Sequence, residues 1–350
     1  MTLTDFRTLG RSGLVVSPLC LGTMTFGTPR WGSADDVSEV IFNQYVDAGG
    51  NFIDTADVYA KGRSEELVGE YVTRRRLRDQ LVLATKSGFS TQPGNPHAGG
   101  NGRKHIQQAL DASLRRLKTD YVDLYWAHVW DTVTPAEELL QTMSDLVRTG
   151  KIRYYALSDV PAWFATRLAT LAQAHGVPGP VALQLEYSLV SRTIEYELLP
   201  AARALGLGVC PWSPLAAGFL AGKYERQAQG ASGDGRLSGP NPFGDSKFTE
   251  ANWRVLDVLR EVAAAAQRPL AQVALAWVQG RPGVASTLIG ASRPQQLTDN
   301  LAALGVQLTS EQQQQLDEAS APPAVFPYGI FSPGVKRGIF GGHDVVAWTL

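Results

Sequence analysis

Four side chains in this sequence are of the types that together deliver a proton to a carbonyl oxygen: Asp54, Tyr59, Lys86 and His128. A free tyrosine has a pKa of about 10, which makes it too weak an acid to protonate a developing alkoxide readily at neutral pH. A nearby ammonium lowers that pKa because it stabilises the phenolate. A buried ammonium needs a carboxylate partner, which at ~4 Å and an effective dielectric of ~20 contributes about 4 kcal/mol.

These requirements assign a role to each of the four residues. We expect Asp54 to keep Lys86 charged and Lys86 to acidify Tyr59. Tyr59 then delivers the proton, while His128 orients the carbonyl oxygen or shares in the proton relay. Asp54 and Tyr59 are five residues apart, which suits neither one helix face nor one strand face. The two can meet only if the chain turns between them, around residues 56–57.

Each of these residues also has an ordinary structural alternative. Asp54 could cap a strand end, and Tyr59 could be an aromatic residue of a rim. Lys86 could be a solvated charge at a strand end, and His128 a hydrogen-bonded structural histidine. Their joint placement at the ends of three successive apolar runs favours the shared function.

Short apolar runs alternate with helical patterns along the whole chain. Most of the runs are apolar on successive residues, which is typical of strands that are buried on both faces. Eight such strands, each followed by a helix, predict a closed parallel (β/α)8 barrel, a fold that places its chemistry at the carboxyl ends of the strands. A doubly wound open sheet is the alternative, but it would normally carry a glycine-rich turn after its first strand. The runs span residues 19–23, 51–54, 81–86, 121–128, 152–158, 181–187, 208–215 and 286–291.

The helical segments carry recognisable start and stop signals. Residues 134–137 form a capping box with Pro135 at the first helical position, and Gly150 marks the end of that helix. Ser33 is predicted to open another helix, which residues 49–50 end. The predicted buried stripes consist of Val37, Val40, Ile41 and Tyr45; of Ile106, Leu110, Leu114 and Leu117; and of Leu139, Leu140, Met143, Leu146 and Val147.

Three segments interrupt the alternation, within what we expect to be a single domain over residues 1–350. Residues 6–19 predict a β-hairpin ahead of the first barrel strand, which we expect to plug one end of the barrel. Residues 221–250 form a long insertion with six glycines, and loops of this length are usually lids or binding loops. Residues 320–350 are rich in proline, glycine and aromatic residues and predict a tail packed over the barrel mouth.

The composition excludes several classes of protein. The 32 Lys and Arg residues nearly balance the 33 Asp and Glu residues, so no overall basic footprint for nucleic acid or anionic membrane is present. With 44% hydrophobic and 19% charged residues, the chain is in the range of folded proteins. Two cysteines in apolar runs, Cys20 and Cys210, exclude a disulfide framework. The chain shows neither a signal peptide nor a membrane-spanning stretch, so we expect a cytoplasmic protein.

Several motifs of other enzyme classes are missing from the sequence. No G-x-G-x-x-G follows a strand, so the usual dinucleotide fingerprint is absent. Residues 218–223 resemble a P-loop but are one residue short, and Tyr224 stands where Ser or Thr must bind Mg²⁺. The five histidines never occur as H-x-H or H-E-x-x-H, so we expect no metal site. No G-x-S-x-G motif offers a nucleophilic serine.

At its four candidate residues the sequence resembles the aldo-keto reductase family. Residues 51–59 resemble that family's Asp…Tyr motif and residues 62–69 the segment after it, while 81–86 and 114–128 resemble its lysine and histidine segments. The resemblance implies a (β/α)8 barrel and an NAD(P)(H)-dependent carbonyl reductase or alcohol dehydrogenase. It also implies a cofactor that binds extended across the rim without a Rossmann motif, with NADP(H) favoured over NAD(H).

The resemblance further implies which residues hold the cofactor. Ser158, Asp159 and Gln184 match positions that hold the nicotinamide carboxamide, and Trp212 matches the aromatic residue stacked on the ring. Position 159 is Asp where many members have Asn, and a carboxylate cannot donate to the carboxamide oxygen. The pyrophosphate side and the loop over the cofactor are expected to include Ser213, Leu215, Gly218 and Arg236.

The end of the last predicted strand has features of a phosphate site. Ser292 predicts an N-cap in a Ser-x-x-Gln box, and barrels commonly bind phosphate after strands seven and eight. Arg293 is unfavourable at a helix N-terminus unless an anion lies beside it. In the family's register that anion is the 2′-phosphate of NADP. Gly290 stands where some members carry a lysine, and the adenine side is expected to include Gln296, Asp299 and Asn300.

Several aromatic residues could form the walls of a substrate pocket, which would suit apolar or aryl carbonyl compounds over charged sugars. An alternative to the enzyme is a cofactor-binding regulatory subunit, as in the potassium-channel β subunits of this family. A cofactor-free barrel isomerase is a third hypothesis, under which NADPH would not quench Trp212 fluorescence. The sequence does not specify an oligomeric state. The candidate pocket residues are Trp31, Trp130, Phe326, Tyr328 and Trp348.

Overall fold

Eight parallel strands form the central sheet and alternate with helices, which confirms the predicted (β/α)8 architecture. The computed structural model describes residues 1–28, 30–227, 231–233, 236–238 and 247–346. The strands are β1 (Arg7–Thr8), β2 (Val15–Val16), β3 (Leu19–Gly22), β4 (Phe52–Asp54), β5 (Val82–Ser87), β6 (Val122–Ala127), β7 (Ile152–Ser158), β8 (Ala182–Glu186), β9 (Gly208–Trp212), β10 (Tyr224–Arg226), β11 (Ala231–Gly233) and β12 (Thr287–Ile289).

Most of the helices lie between these strands and bury one face, while the last three follow β12 and the described side chains of the final one are exposed. They are α1 (Asp35–Asp47), α2 (Arg63–Arg75), α3 (Arg103–Leu117), α4 (Ala136–Arg148), α5 (Ala162–His175), α6 (Leu198–Leu205), α7 (Glu250–Ala266), α8 (Leu270–Gln279), α9 (Pro294–Leu301), α10 (Ser310–Ala319) and α11 (Pro333–Ile339).

The sheet closes on itself between β9 and β12. Its strands follow the order β12-β3-β4-β5-β6-β7-β8-β9, and each of these neighbouring pairs is parallel. The two ends are joined ahead of β12, where Val209 N donates to Gly283 O at 2.9 Å and Ala285 N donates to Val209 O at 2.8 Å. All eight carboxyl ends therefore meet at one mouth.

The hairpin of β1 and β2 closes the amino end of the barrel, as predicted. Leu9, Leu14 and Val16 are buried in the cluster that fills the barrel interior. The hairpin turn lies against the strand ends, and Arg11 N donates to Gly206 O at 2.8 Å. Gly10 has a φ of +61°, and a Cβ there would lie 2.6 Å from the Gly206 carbonyl oxygen, so this position requires glycine.

A second, larger cluster packs the helices against the outside of the sheet. The predicted stripes of α3 and α4 belong to it, although Val147 is only partly buried. The stripe predicted for α1 is wrong at Val40, which is 51% exposed. The buried face of α1 is formed by Ser38, Ile41, Phe42 and Tyr45. It includes Ser38 because the hydroxyl of that residue is hydrogen-bonded to the Ser33 hydroxyl at 2.8 Å.

Ser33, predicted to open α1, lies one residue before the actual N-cap, Ala34. The predicted capping boxes are wrong at two further helices. Helix α4 has Pro135 at its N-cap, and the Thr134 hydroxyl instead donates to Asp131 Oδ2 at 2.6 Å. Helix α9 has Arg293 at its N-cap, because Ser292 lies one residue further out and donates from its backbone to Gln296 Oε1 at 2.9 Å. At α4 and α9, the Thr134 hydroxyl and the Ser292 backbone N–H are therefore hydrogen-bonded to residues outside the predicted capping boxes.

The insertion and the tail are described in part. Within residues 221–250, β10 and β11 form a small antiparallel pair, while residues 228–230, 234–235 and 239–246 lie outside the described residues. The tail contacts the segment that leads into α6, where Tyr328 Oη donates to Glu197 Oε1 at 2.6 Å. Trp348 also lies outside the described residues. None of the helices in the described ranges is long and apolar enough to cross a membrane.

Candidate active site

Three of the four candidate residues form one buried hydrogen-bonded group at the barrel mouth. Asp54 ends β4, and Lys86 lies near the end of the neighbouring strand β5. Nζ of Lys86 donates to Asp54 Oδ1, to the backbone oxygen of Thr55 at 2.9 Å and to the phenolic oxygen of Tyr59 at 3.2 Å. The ammonium therefore joins the carboxylate and the phenol directly.

A sharp turn between β4 and α2 brings Tyr59 back to the mouth, as the spacing predicts. Tyr59 N donates to Ala56 O at 3.2 Å, and Asp57 N donates to Lys86 O at 3.1 Å on the neighbouring strand. Beyond Tyr59 the backbone is left-handed at residues 60–62, with φ between +47° and +92°. Such conformations are costly for non-glycine residues, and they concentrate at functional sites.

The protonation of the buried group follows from burial and charge. Burial alone would lower the pKa of Lys86, but the carboxylate of Asp54 and the phenol of Tyr59 raise that pKa above its usual value. Burial raises the pKa of Tyr59, and Lys86 opposes this effect. Lys86 thus acts in the predicted direction, but burial is the larger effect and the net pKa of Tyr59 is raised.

His128 follows β6 directly and lies beside Tyr59. The two rings are in an edge-to-face arrangement with centroids 5.8 Å apart. Burial lowers the pKa of His128 well below its usual value, and the charge of Lys86 lowers it further. Its buried Nδ1 has no hydrogen-bond partner among the described residues. A neutral ring at this position suits the orientation of an oxygen atom better than delivery of a proton.

The next three strands bring the predicted carboxamide residues to the same rim. Gln184 Nε2 donates to Asp54 Oδ2 at 3.2 Å, which connects β8 to the buried group. The indole N–H of Trp212 donates to Asp159 Oδ1 at 3.0 Å, and the Ser158 hydroxyl donates to Asp159 Oδ2 at 3.4 Å. The contact between Asp159 and Trp212 has no signal in the sequence, since 53 residues separate them.

The segment after β9 has a strained backbone. Ser213 has a φ of +52°, and residues 216–218 are also left-handed, with φ between +48° and +94°. The Ser213 hydroxyl accepts from Ala217 N at 3.2 Å, and Leu215 is packed against the outer cluster. A Cβ at Gly218 would lie 2.9 Å from Cδ of Lys223. The segment is therefore held in one shape beside Trp212.

The end of β12 leaves one arginine without a partner in the described part of the chain. Arg293 is exposed at the N-cap of α9, and no hydrogen bond or ion pair to the described residues is made by its side chain. Asn300 is buried and donates to Gly290 O at 3.3 Å, while Asp299 accepts from Gln295 on the exposed face of α9.

Aromatic side chains surround the mouth, and the sequence analysis missed two of them. Phe89 lies three residues beyond Lys86, with its ring 4.9 Å from the ring of His128. Trp163 lies in the first turn of α5 and packs edge-to-face on Trp130 at 5.6 Å. Both lie on segments that follow barrel strands, and that position is a signal that could have identified them.

The other predicted pocket residues have different neighbours. The guanidinium of Arg236 lies 4.7 Å from the centre of the Trp31 ring, so Trp31 contacts the insertion after β9. The ring of Tyr328 stacks at 5.3 Å on Tyr196, in the segment leading to α6. Phe326 is 86% exposed.

A family comparison agrees with this geometry. The sequence profile of the Aldo/keto reductase family matches residues 18–321. The chain belongs to the aldo/keto reductase family. The norsolorinic acid reductase of Aspergillus flavus is 33% identical to this aldo/keto reductase over 326 residues, which cover 90% of this chain and 81% of the relative.

Two further relatives differ in the function that their names state. The aryl-alcohol dehydrogenase (NADP(+)) of Phanerodontia chrysosporium is 32% identical over 337 residues, which cover 92% of this aldo/keto reductase and 87% of the relative. A probable voltage-gated potassium channel subunit beta of Oryza sativa subsp. japonica is 36% identical over 309 residues, which cover 86% of this aldo/keto reductase and 92% of the relative. The family and the named reductases and dehydrogenases identify an oxidoreductase.

Proposed function

We propose that this chain reduces aldehydes or ketones to alcohols with NADP(H), and that Tyr59 is the general acid. The observation that carries the proposal is the buried group in which Lys86 Nζ contacts both the Asp54 carboxylate and, at 3.2 Å, the Tyr59 oxygen. A phenol, an ammonium and a carboxylate in hydrogen-bonded contact at a barrel mouth have the composition of a proton-delivery site.

The residues present fit a nicotinamide dinucleotide with a 2′-phosphate. Arg293 offers an exposed guanidinium with no partner in the described ranges, at the positive end of α9. The fixed indole of Trp212 offers a face for a planar ring. Ser158, Asp159 and Gln184 lie next to it and would hold the carboxamide. When bound, the nicotinamide supplies the hydride.

The chain's own residues supply the proton. Because burial raises the pKa of Tyr59, its phenol carries the proton at neutral pH. As the proton leaves, the negative charge forms 3.2 Å from the Lys86 ammonium, which stabilises it. Asp54 keeps Lys86 charged throughout. His128, neutral and beside Tyr59, orients the substrate oxygen toward the phenol.

The aromatic rim favours an aryl carbonyl compound as substrate. Phe89, Trp130 and Trp163 lie on consecutive segments that follow barrel strands. The Phe89 ring lies against His128 and Trp130 packs on Trp163, and these rings offer flat apolar surface. The relative named as an aryl-alcohol dehydrogenase supports the same class.

The test compares the wild type with Tyr59→Phe in the oxidation of NADPH and of NADH by an aryl aldehyde. We expect the wild type to prefer NADPH and the variant to lose about 10²- to 10⁴-fold in turnover, the usual contribution of a general acid. Quenching of tryptophan fluorescence by NADPH should be equal in both proteins. An undiminished rate in Tyr59→Phe would reject the assigned acid.

The relative named as a channel subunit supports a second candidate, a cofactor-binding regulatory subunit. It predicts a protein that binds NADPH tightly but turns over no aldehyde. A broad panel of aldehydes and ketones distinguishes the two, because a regulatory subunit would oxidise NADPH at the same slow rate with every compound.

A further inference from the structure

Asp159 and Trp212 are joined across the rim of the barrel. Asp159 follows β7 and Trp212 ends β9, so their hydrogen bond of 3.0 Å passes over β8, which lies between them in the sheet. The backbone of Asp159 is fixed on both sides: its N–H donates to Gln184 O at 3.2 Å, and its carbonyl oxygen accepts from Trp130 N at 3.3 Å.

The backbone conformation of Asp159 directs its carboxylate. Its φ is +47°, in the left-handed region that a non-glycine residue rarely occupies. Strain of this kind persists only where the surroundings hold the residue firmly, and it is frequent at functional sites. Here the two backbone bonds and the indole bond hold the carboxylate toward the mouth.

The charged groups around this carboxylate come from several strands. Glu186 at the end of β8 repels it, although Lys247 Nζ donates to Glu186 Oε1 at 2.9 Å and partly offsets that charge. Lys86 attracts it, while the Trp212 N–H and the Ser158 hydroxyl donate to it. Solvent in the mouth reaches Asp159, but the surrounding rim restricts its hydration and raises the pKa of its carboxyl to about 6.

We propose that Asp159 is a positioning residue that fixes the Trp212 indole over the mouth of the barrel.

The proposal is tested on the protein without cofactor, by the indole N–H signals of the ¹⁵N-labelled chain. The signal of Trp212 is identified as the one missing in Trp212→Phe, whose ring lacks the donor. In the wild type we expect this signal to shift with pH with a midpoint near 6, because a carboxylate accepts more strongly than a carboxyl group. In Asp159→Asn the signal should remain at one position throughout, and in Asp159→Ala it should move to that of a solvent-exposed indole. The proposal would be overturned if the wild-type Trp212 signal did not move with pH, or if this signal had the same position in Asp159→Ala as in the wild type.

Discussion

Asp54 and Lys86 form an ion pair inside the barrel in which the side chains are only 1% and 0% exposed. Removing one partner of such a pair leaves an uncompensated buried charge, which typically costs about 3–5 kcal/mol. Replacing both partners removes that penalty. Stability and catalysis can therefore be separated at this site.

Lys86→Met should lower the free energy of unfolding by about 3–5 kcal/mol and abolish most carbonyl reduction, because Asp54 is left buried without its partner and the phenolate loses its stabilising ammonium. The double variant Asp54→Asn/Lys86→Met should regain most of the stability and none of the activity. Urea denaturation and NADPH oxidation measure the two quantities. A double variant that is both stable and active would show that the ammonium has no part in proton delivery.

Phe89→Ala should raise the KM for an aryl aldehyde by about 3- to 10-fold, since aromatic contacts contribute about 0.5–1.5 kcal/mol. The KM for a short aliphatic aldehyde should change little. Phe6→Ala is the matched control, because Phe6 is 46% exposed and Phe89 is 44% exposed, and Phe6 lies beside the hairpin at the other end of the barrel. Equal effects on both aldehydes would place Phe89 outside the substrate pocket.

Arg293→Ala should raise the KM for NADPH by about 10- to 100-fold and leave that for NADH nearly unchanged, because a hydrogen bond to a charged group contributes about 1.5–3 kcal/mol. The control is Arg115→Ala, which removes an exposed arginine in the last turn of α3, at the amino end of the barrel. If NADPH and NADH were affected alike, the 2′-phosphate would have to bind elsewhere.

Asp57→Asn should stabilise the protein at alkaline pH. Both carboxylate oxygens of Asp57 are buried without a hydrogen-bond partner among the described residues, and burial together with nearby Glu65 raises the pKa of this carboxyl to about 8. The folded state therefore binds a proton that the unfolded state releases at a pH of about 4, and wild-type stability falls as the pH rises from about 4 to 8.

The advantage of Asp57→Asn should accordingly be small at pH 5 and reach about 5 kcal/mol at pH 9, since each pKa unit between about 4 and 8 corresponds to about 1.4 kcal/mol. Thermal unfolding at several pH values measures it. Asp79→Asn, at an exposed carboxylate, should show no such trend. A constant difference between Asp57→Asn and the wild type at every pH would mean that Asp57 does not titrate in this range.

The strands could be predicted because burial on both faces leaves a direct trace in the sequence. Their ends were less predictable: the run 208–215 was expected to be one strand, but β9 stops at Trp212 because the backbone turns left-handed at Ser213. Nothing about a serine requires that conformation. The capping boxes at Thr134 and Ser292 failed for a related reason, since Asp131 and Gln296 are competing partners whose distances depend on the folded loops.

The buried group could be predicted from strand ends alone, because neighbouring parallel strands bring their carboxyl ends together. The net pKa of Tyr59 could not, since it depends on how completely the phenol is buried. The bond between Asp159 and Trp212 depends on a left-handed backbone and on two strands that are not adjacent, and neither feature is visible in the residue types.

The hairpin that carries Leu9 and Leu14 gives the barrel a single entrance. A proton that replaces the one donated by Tyr59 then has to arrive from solvent through the opening that the substrate and product also use. We expect the tyrosine to be recharged only after the alcohol has left, so that product departure and proton uptake follow one another in every catalytic cycle.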